Sequence, residues 1–353
     1  MSATPPAPST IGVGVIGLGF IGATHIRAFQ AAECDGFPCR LVAVADRRAE
    51  RLSGRADTSA NLGVCIGDQL FDRELVRGYT DASQLICDPR IQLVSICTHT
   101  DTHVDLACAA LRAGKHVLVE KPISLAVSEV RQLAQVAAQS KTLCMAAMCM
   151  RFWPEWAWIR DRVKDGSLGH VKSAVFQRLG APPEWAEFYR DVSKSGGSLV
   201  DLHIHDADFI RWCFGMPQEV VSIGSLMHVT TLYRYPAATG PEHVMSEGGQ
   251  DHTPGFGYRQ RCVVVFEKAT VDFDLARTPQ LAICRDGKSE AVTMPIGTPS
   301  TGYDVEVRYI LNAIMAKTPA KDLLATIADS VDTTRLLDAE RKSLETKAPV
   351  RLG

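Results

Sequence analysis

Short, unbroken apolar runs separated by helical stretches fill the first part of the chain. Val13-Gly14-Val15-Ile16, Arg40-Leu41-Val42-Ala43-Val44-Ala45, Leu93-Val94-Ser95-Ile96-Cys97 and Lys115-His116-Val117-Leu118-Val119 each read as a strand buried on both faces. Segments of helical composition, Ala23–Ala32, Val104–Ala113 and Ser128–Gln139, follow them or lie between them. Such alternation predicts a parallel sheet with helices over its faces. Asp81 caps a short helix, Asp81–Ile86, that ends near Asp88-Pro89. Residues 47–78 look helical and irregular, with turns at Asn61-Leu62-Gly63 and Ile66-Gly67-Asp68. A further apolar run, Leu143–Met150, either finishes this half or opens the next.

Past that run the period changes. Strands are predicted at Val171–Leu179, Glu219–Gly224, Arg261–Phe266 and Thr270–Leu275, and the alternation in Val271-Asp272-Phe273-Asp274-Leu275 predicts a sheet with one exposed face. An amphipathic helix follows Pro154 and ends around Asp165–Gly169; another runs from Asp206 to Phe214 and stops at Gly215. Residues 236–257 carry three Pro or Gly clusters, His243 and His252, and no periodicity, so they read as a mobile loop or interface arm. Two amphipathic helices, Tyr303–Ala316 and Thr326–Ala339, and a closing Val350-Arg351-Leu352 complete the chain.

A chain of 353 residues exceeds the size at which one core stops growing, so two domains are expected. With 46% hydrophobic and 22% charged residues the balance is that of an ordinary globular protein. The net charge is -2, and the basic residues are scattered, which argues against nucleic-acid or membrane-surface partners. Residues 1–10 read as a disordered tail without signal-peptide character, and no apolar run reaches the ~20 residues of a membrane span, so a cytoplasmic protein is expected. The eleven cysteines are odd in number, sit mostly in apolar runs and lack CxxC spacing; buried free thiols are expected.

The first strand leads into Gly17-Leu18-Gly19-Phe20-Ile21-Gly22 and then a helix. In that context the first glycine turns the chain, the second lets a pyrophosphate approach the backbone and the third permits close packing, while the helix N-terminus supplies N–H donors. The second strand ends in Asp46, at the distance expected of an acid that reads the adenosine ribose and favours NAD. Arg47 and Arg48 beside it could instead hold the phosphate of NADP. Thr98 and His99 at the next strand end, and His103 at the following helix start, should lie near the cofactor, His103 as a structural or cofactor-side contact. Glu120-Lys121-Pro122 ends the fourth run and aims Lys121 at the crevice.

The densest chemistry lies in Gly196-Gly197-Ser198-Leu199-Val200-Asp201-Leu202-His203-Ile204-His205-Asp206. If this stretch is one helix, Asp201 and His205 stand at i and i+4, where a carboxylate can orient and tune an imidazole. His203 then points elsewhere, in a structural or substrate-side role. Asp201, His203 and His205 diverge too much within one turn to share a metal, and no metal site is expected. Arg151, Trp153, Trp185 and Tyr189 are candidate substrate contacts, the aromatic ones because a flat ring can cover the apolar face of a ligand.

The fingerprint, a strand ending in Cys97-Thr98 followed by a histidine, and Ala113-Gly114-Lys115-His116-Val117-Leu118-Val119-Glu120-Lys121-Pro122 together resemble the Gfo/Idh/MocA family of glucose-fructose oxidoreductases and inositol dehydrogenases. Arg151-Phe152-Trp153-Pro154 and the helix after it are also similar, and the resemblance spans nearly the full chain. Thr98-His99-Thr100 stands where the family commonly has Thr-Pro-Asn. The resemblance implies an α/β protein: an N-terminal Rossmann domain, placed at 11–125, and a C-terminal α+β domain on an open, mostly antiparallel sheet, placed at 126–353 and serving substrate binding and oligomerisation. It implies bound NAD, with NADP possible, and proton handling by Lys121, Asp201 and His205. His205 ranks first as base, while Gly17, Gly19, Phe20, Ile21, Gly22, Asp46, Arg47, Thr98, His99, His103, Glu120 and Lys121 face the cofactor. The expected function is a dehydrogenase that interconverts a secondary ring hydroxyl of a sugar, cyclitol or related polyol and its ketone, as a homodimer or homotetramer. Redox-assisted elimination or epimerisation with tightly held NAD, and a non-catalytic NAD(P)-binding sensor or repressor, remain alternatives.

Overall fold

The structure is a computed structural model that describes residues 10–56, 67–182, 188, 191–236, 240–295, 297 and 301–352. Trp185 and Tyr189, the turn at Asn61-Leu62-Gly63, Ile66 and all but the last residue of the expected N-terminal tail lie outside the described residues.

The chain divides into two compact units. The first comprises Met1–Ser124, Ser128–Ala147 and Thr301–Ala328. Its strands β1 (Ile11–Ile16), β2 (Cys39–Ala45), β3 (Arg77–Tyr79), β4 (Leu93–Ile96), β5 (His116–Glu120) and β6 (Cys144–Ala147) form one parallel sheet in the order β3-β2-β1-β4-β5-β6. Every residue of β1, β4 and β6 is buried, as an unbroken apolar run demands when helices cover both faces. The helices are α1 (Phe20–Cys34), α2 (Ala82–Cys87), α3 (His103–Arg112) and α4 (Val127–Gln139). The Asp81 carboxylate caps α2 by accepting the Ser83 N–H at 2.8 Å, as expected.

The expected domain boundary at 125/126 needs correction. β6 pairs in parallel with β5, Glu120 opposite Ala147, and the Ala146 N–H donates to the Ala325 carbonyl at 3.1 Å. The helix Gly302–Met315 returns to pack on α1. Backbone pairing and helix packing thus draw two later segments into the first unit, an association that sequence order does not encode.

The second unit comprises Leu125–Val127, Met148–Ser300 and Asp329–Gly353. Its strands are β7 (Val171–Leu179), β8 (Glu219–Gly224), β9 (His228–Arg234), β10 (His243–Gly249), β11 (Arg259–Phe266), β12 (Thr270–Asp274), β13 (Leu281–Arg285), β14 (Lys288–Ala291) and β15 (Val350–Arg351). They form one sheet in the order β14-β13-β12-β11-β7-β10-β9-β8-β15, antiparallel except where β10 runs parallel to β7. The helices α5 (Pro154–Asp165), α6 (Val192–Ser195), α7 (Gly197–Asp201) and α8 (Ile204–Phe214) precede most of the sheet. Trp156 of α5, fully buried, meets Phe209 of α8 edge-on at 4.7 Å and Phe273 of β12 at 5.6 Å, which seats both helices on the sheet's apolar face.

The expected loop at 236–257 is instead partly strand. β10 sits in the middle of the sheet, bonded on both edges. Its Gly248 and Gly249 look like loop residues in sequence but make room for side chains: a Cβ on Gly248 would fall 2.8 Å from the His203 Cβ, and one on Gly249 2.8 Å from the His228 Nδ1.

Candidate active site

In the first unit the strand register brings the expected cofactor residues into one row. Ile16 lies opposite both Ala45 and Ile96, and Ile96 lies opposite Val119. The next residues along each chain, Asp46, Gly17, Cys97 and Glu120, therefore line the C-terminal edge of four neighbouring strands, three strand gaps or about 14 Å across. The edge straddles the point where the strand order reverses, the place at which open parallel sheets bind dinucleotides.

The glycines divide into two roles. A Cβ on Gly22 would fall 1.9 Å from the Gly17 carbonyl oxygen, and one on Gly17, whose φ is +90°, 2.6 Å from the Cys97 oxygen, so the protein's own backbone requires both. Among the described residues, a Cβ on Gly19 would meet nothing nearer than Arg51 Nη1 at 3.8 Å. The open side of Gly19, at the start of α1, fits a pyrophosphate on the helix N-terminus. Phe20 and Ile21 follow, both half-exposed.

Asp46 Oδ2 accepts the Leu18 N–H at 2.8 Å, and Oδ1 accepts the Arg48 N–H at 2.9 Å. The residue assigned to the ribose thus also fastens the glycine-rich turn to the end of β2. Arg51, which lies in no motif, places Nη1 3.5 Å from Asp46 Oδ2 and beside Gly19. Its only sequence signal is a base one turn beyond the acid. Arg47 is exposed.

His99 is exposed and Thr98 half-exposed at the end of β4. The Thr98 hydroxyl accepts from Thr102 at 2.7 Å. Two of the expected cofactor contacts face inward instead. His103 is 1% exposed, with Nδ1 2.9 Å from the Pro122 carbonyl and Nε2 3.0 Å from the Thr98 carbonyl. Burial holds it below its usual pKa, so it is neutral near pH 7, and one of the two contacts carries the N–H. Glu120, also buried, accepts the Lys121 N–H on Oε2 at 2.9 Å, and its Oε1 lies 3.1 Å from His25 Nε2. His25 in turn reaches the Ser95 hydroxyl at 2.8 Å. His103, Glu120 and the unanticipated His25 therefore brace the strand end from within, and half-buried Lys121 is the residue they position.

The central stretch of the second unit is two helices rather than one. Gly196 and Gly197, at φ +75° and +69°, turn the chain from α6 into α7, where a Cβ on Gly197 would strike the Leu226 carbonyl oxygen at 2.5 Å. α7 ends at Asp201, a turn covers Leu202 and His203, and α8 begins at Ile204. The expected i, i+4 stacking on a single helix is corrected accordingly: Asp201 closes one helix and His205 lies in the first turn of the next. Both are half-buried.

Two other polar candidates are held in internal pairs. His203 is fully buried, with Nε2 2.9 Å from Glu340 Oε2 and 3.0 Å from the Tyr233 hydroxyl, so it is not a substrate contact. Arg151 is 1% exposed, donating from Nε and Nη2 to Asp208 at 2.7 Å each and from Nη1 to Asp329 at 3.1 Å. Its burial among carboxylates replaces the expected substrate role with an ion pair inside the unit. Trp153, half-buried, is the N-cap residue of α5.

Residues 11–148 match the family described as oxidoreductases with an NAD-binding Rossmann fold, and residues 156–271 match the GFO/IDH/MocA C-terminal domain. The chain belongs to the GFO/IDH/MocA oxidoreductase family. It is 31% identical over 218 residues to a myo-inositol 2-dehydrogenase of Thermotoga maritima, a match covering 61% of this chain and 58% of that protein. It is 32% identical over 219 residues to an inositol 2-dehydrogenase of Rhizobium meliloti, covering 61% of this chain and 57% of the relative. The matched stretch therefore spans under two thirds of these relatives' lengths. A solved levoglucosan dehydrogenase in complex with NADH and levoglucosan superposes with a TM-score of 0.80 at 19% identity, covering 97% of this chain and 99% of that one, which shows the shared fold. The NAD-binding Rossmann domain and the mostly antiparallel second sheet are thus as the sequence implied. No described helix is long and apolar enough to cross a membrane.

Proposed function

We propose that this family member is an NAD-dependent dehydrogenase that interconverts a secondary ring hydroxyl of a cyclitol, sugar or related polyol and the corresponding ketone. The observation that carries the reading is the row of strand ends: Asp46, the open side of Gly19 and Lys121 lie in sequence along the edge where the sheet order reverses. The inositol dehydrogenases among its relatives support the substrate class. When bound, NAD supplies the hydride acceptor.

The chain's own residues then supply the proton chemistry. His205 takes the hydroxyl proton, Asp201 orients its ring and favours imidazolium, and the Lys121 ammonium steadies the oxyanion as it develops. Trp153, Trp185 and Tyr189 are assigned to the polyol, and Thr98 and His99 to the cofactor. Asp46 favours NAD, with NADP use kept open by Arg47 and Arg51.

The protein is also proposed to work as a homo-oligomer of two or four. Val221, Leu232, Met245, Val175 and Val263 lie side by side in register across five strands of the second sheet, each half-exposed on the face opposite the helices. A continuous apolar row of that kind is suited to packing against a second copy.

The test is a panel of inositols, sugars and anhydrosugars scored for NADH and NADPH formation, with the matching ketones in reverse. Turnover with at least one polyol and a preference for NAD are expected. No reduction with any member in either direction would sink the proposal.

A further inference from the structure

A second cluster of chemistry-bearing side chains lies at the ends of β9 and β10, and neither the fold nor the proposed reaction uses it. His228 opens β9 opposite Gly249, and Asp251 and His252 follow the end of β10. His228 Nδ1 is 2.7 Å from Asp251 Oδ1, and His252 Nδ1 is 3.6 Å from the same oxygen. One donor atom from each of the three residues lies within 4.8 Å of the other two.

The surroundings hold these donors in place. The other ring nitrogen of His228 faces Glu247 Oε1 at 3.0 Å, and Glu247 Oε2 accepts from the Gln177 amide at 2.7 Å. The His252 ring stacks on Phe256 with centroids 4.0 Å apart and planes at 25°. Its Nδ1 is buried and has no hydrogen-bond partner among the described residues. All three side chains keep some exposure, which leaves a path in from solvent.

We propose that His228, Asp251 and His252 form a binding site for zinc. Two imidazole nitrogens and one carboxylate oxygen are a donor set that zinc favours, with the fourth position left to water. Calcium and magnesium require more oxygen ligands than the cluster offers. Glu247 on the far nitrogen of His228 is the outer carboxylate that fixes the ring of a metal-bound histidine. Ligands of a tetrahedral zinc lie about 3.3 Å apart, given bonds of about 2.0–2.2 Å. The Asp251–His252 pair is near that spacing already, and the His228–Asp251 pair opens by roughly 0.6 Å as zinc replaces the proton between them. An ion pair of His228 with its two carboxylates would account for that residue alone; it leaves His252 Nδ1 buried without a hydrogen bond among the described residues, and zinc accounts for both. The ion would clip the start of β9 to the chain leaving β10.

The test is calorimetric titration of the full chain, stripped with EDTA and dialysed, with zinc sulfate. One saturable site per chain is expected, with a higher melting temperature in zinc and no change in calcium or magnesium. His252→Ala should weaken binding at least about 100-fold, and Glu247→Gln about 10- to 100-fold. His243→Ala, at the exposed opposite end of β10, should bind as the parent does. Circular dichroism confirms folding, and Asp251→Asn replaces His252→Ala if the latter fails to fold. Absence of a saturable site in the parent, or affinity unchanged in the folded variants, would overturn the proposal.

Discussion

Arg178 clasps Asp206, with Nη2 2.7 Å from Oδ1 and Nε within 3.3 Å of both carboxylate oxygens, and neither side chain reaches water. This pair ties β7 to the first turn of α8, one residue beyond His205. Two residues further on, Asp208 is held by Arg151 in the same bidentate manner. Removing one member of a buried pair strands the other charge, at a cost of about 3–5 kcal/mol. Asp206→Ala should therefore lower the unfolding free energy by that much, read as a lower urea midpoint with the m-value unchanged. A loss under ~1 kcal/mol would mean that water reaches the pair.

Asp46 fastens the glycine-rich turn and is proposed to read the ribose, so its removal should show two effects. Asp46→Asn weakens the bond to the Leu18 N–H. Loss of a charge-assisted hydrogen bond is worth about 1.5–3 kcal/mol of stability in the turn, and NADH affinity should fall as the turn proposed to seat the pyrophosphate loosens. It also removes the carboxylate that disfavours a 2′-phosphate, so the NADPH to NADH affinity ratio should rise. Fluorescence titration with both nucleotides measures this, and an unchanged ratio would place ribose recognition elsewhere.

The first unit was largely legible in the sequence because strands buried on both faces leave unbroken apolar runs and the glycine fingerprint has a fixed place between strand and helix. β9 and β10 were not, because Thr230, Thr231, Gly248 and Gly249 dilute the alternation, and their glycines serve residues far away along the chain. The return of the helix Gly302–Met315 to α1 is likewise a tertiary choice without a local signal. At the candidate site the residue types were legible but their burial was not. Arg151 and His203 look like ligand contacts in sequence, and only the positions of Asp208, Asp329 and Glu340 reveal them as internal pairs. His25 and Arg51 stood in helical stretches with no motif to single them out.

The His203–Glu340 pair gives stability a defined pH dependence. Burial alone would lower the pKa of His203, but the charge and hydrogen bond of Glu340 outweigh it and hold it above the usual 6.5. The native state then keeps a proton that the unfolded chain releases. This contribution is full below about pH 6.5 and is lost as pH rises through the raised value. His203→Gln should accordingly cost more at about pH 6 than at about pH 9, as read by urea unfolding. Equal costs at both would remove the charge from the account.

Glu306 shifts stability with pH in the same sense, but through burial rather than through a partner. It is fully buried, and neither carboxyl oxygen has a hydrogen-bond partner among the described residues. Burial pushes its pKa well above the ordinary 4.5, with His25 opposing and Glu120 adding to the rise. The unfolded chain gives up this proton above about pH 4.5 while the native chain retains it, so stability falls as pH rises from there towards the folded pKa. Glu306→Gln should melt higher than the parent at about pH 8 and alike at about pH 4. A lower melting temperature at pH 8 would mean that the carboxylate is charged and satisfied.

The assignment of proton handling is tested most directly by turnover in Lys121→Ala and His205→Ala, with the best substrate of the polyol panel and NADH binding measured in parallel. Each variant should lose about 10²- to 10⁴-fold in the rate of NADH formation, the range for a positioned acid or base, while NADH affinity stays close to that of the parent. Rates within a few-fold of the parent would contradict the account.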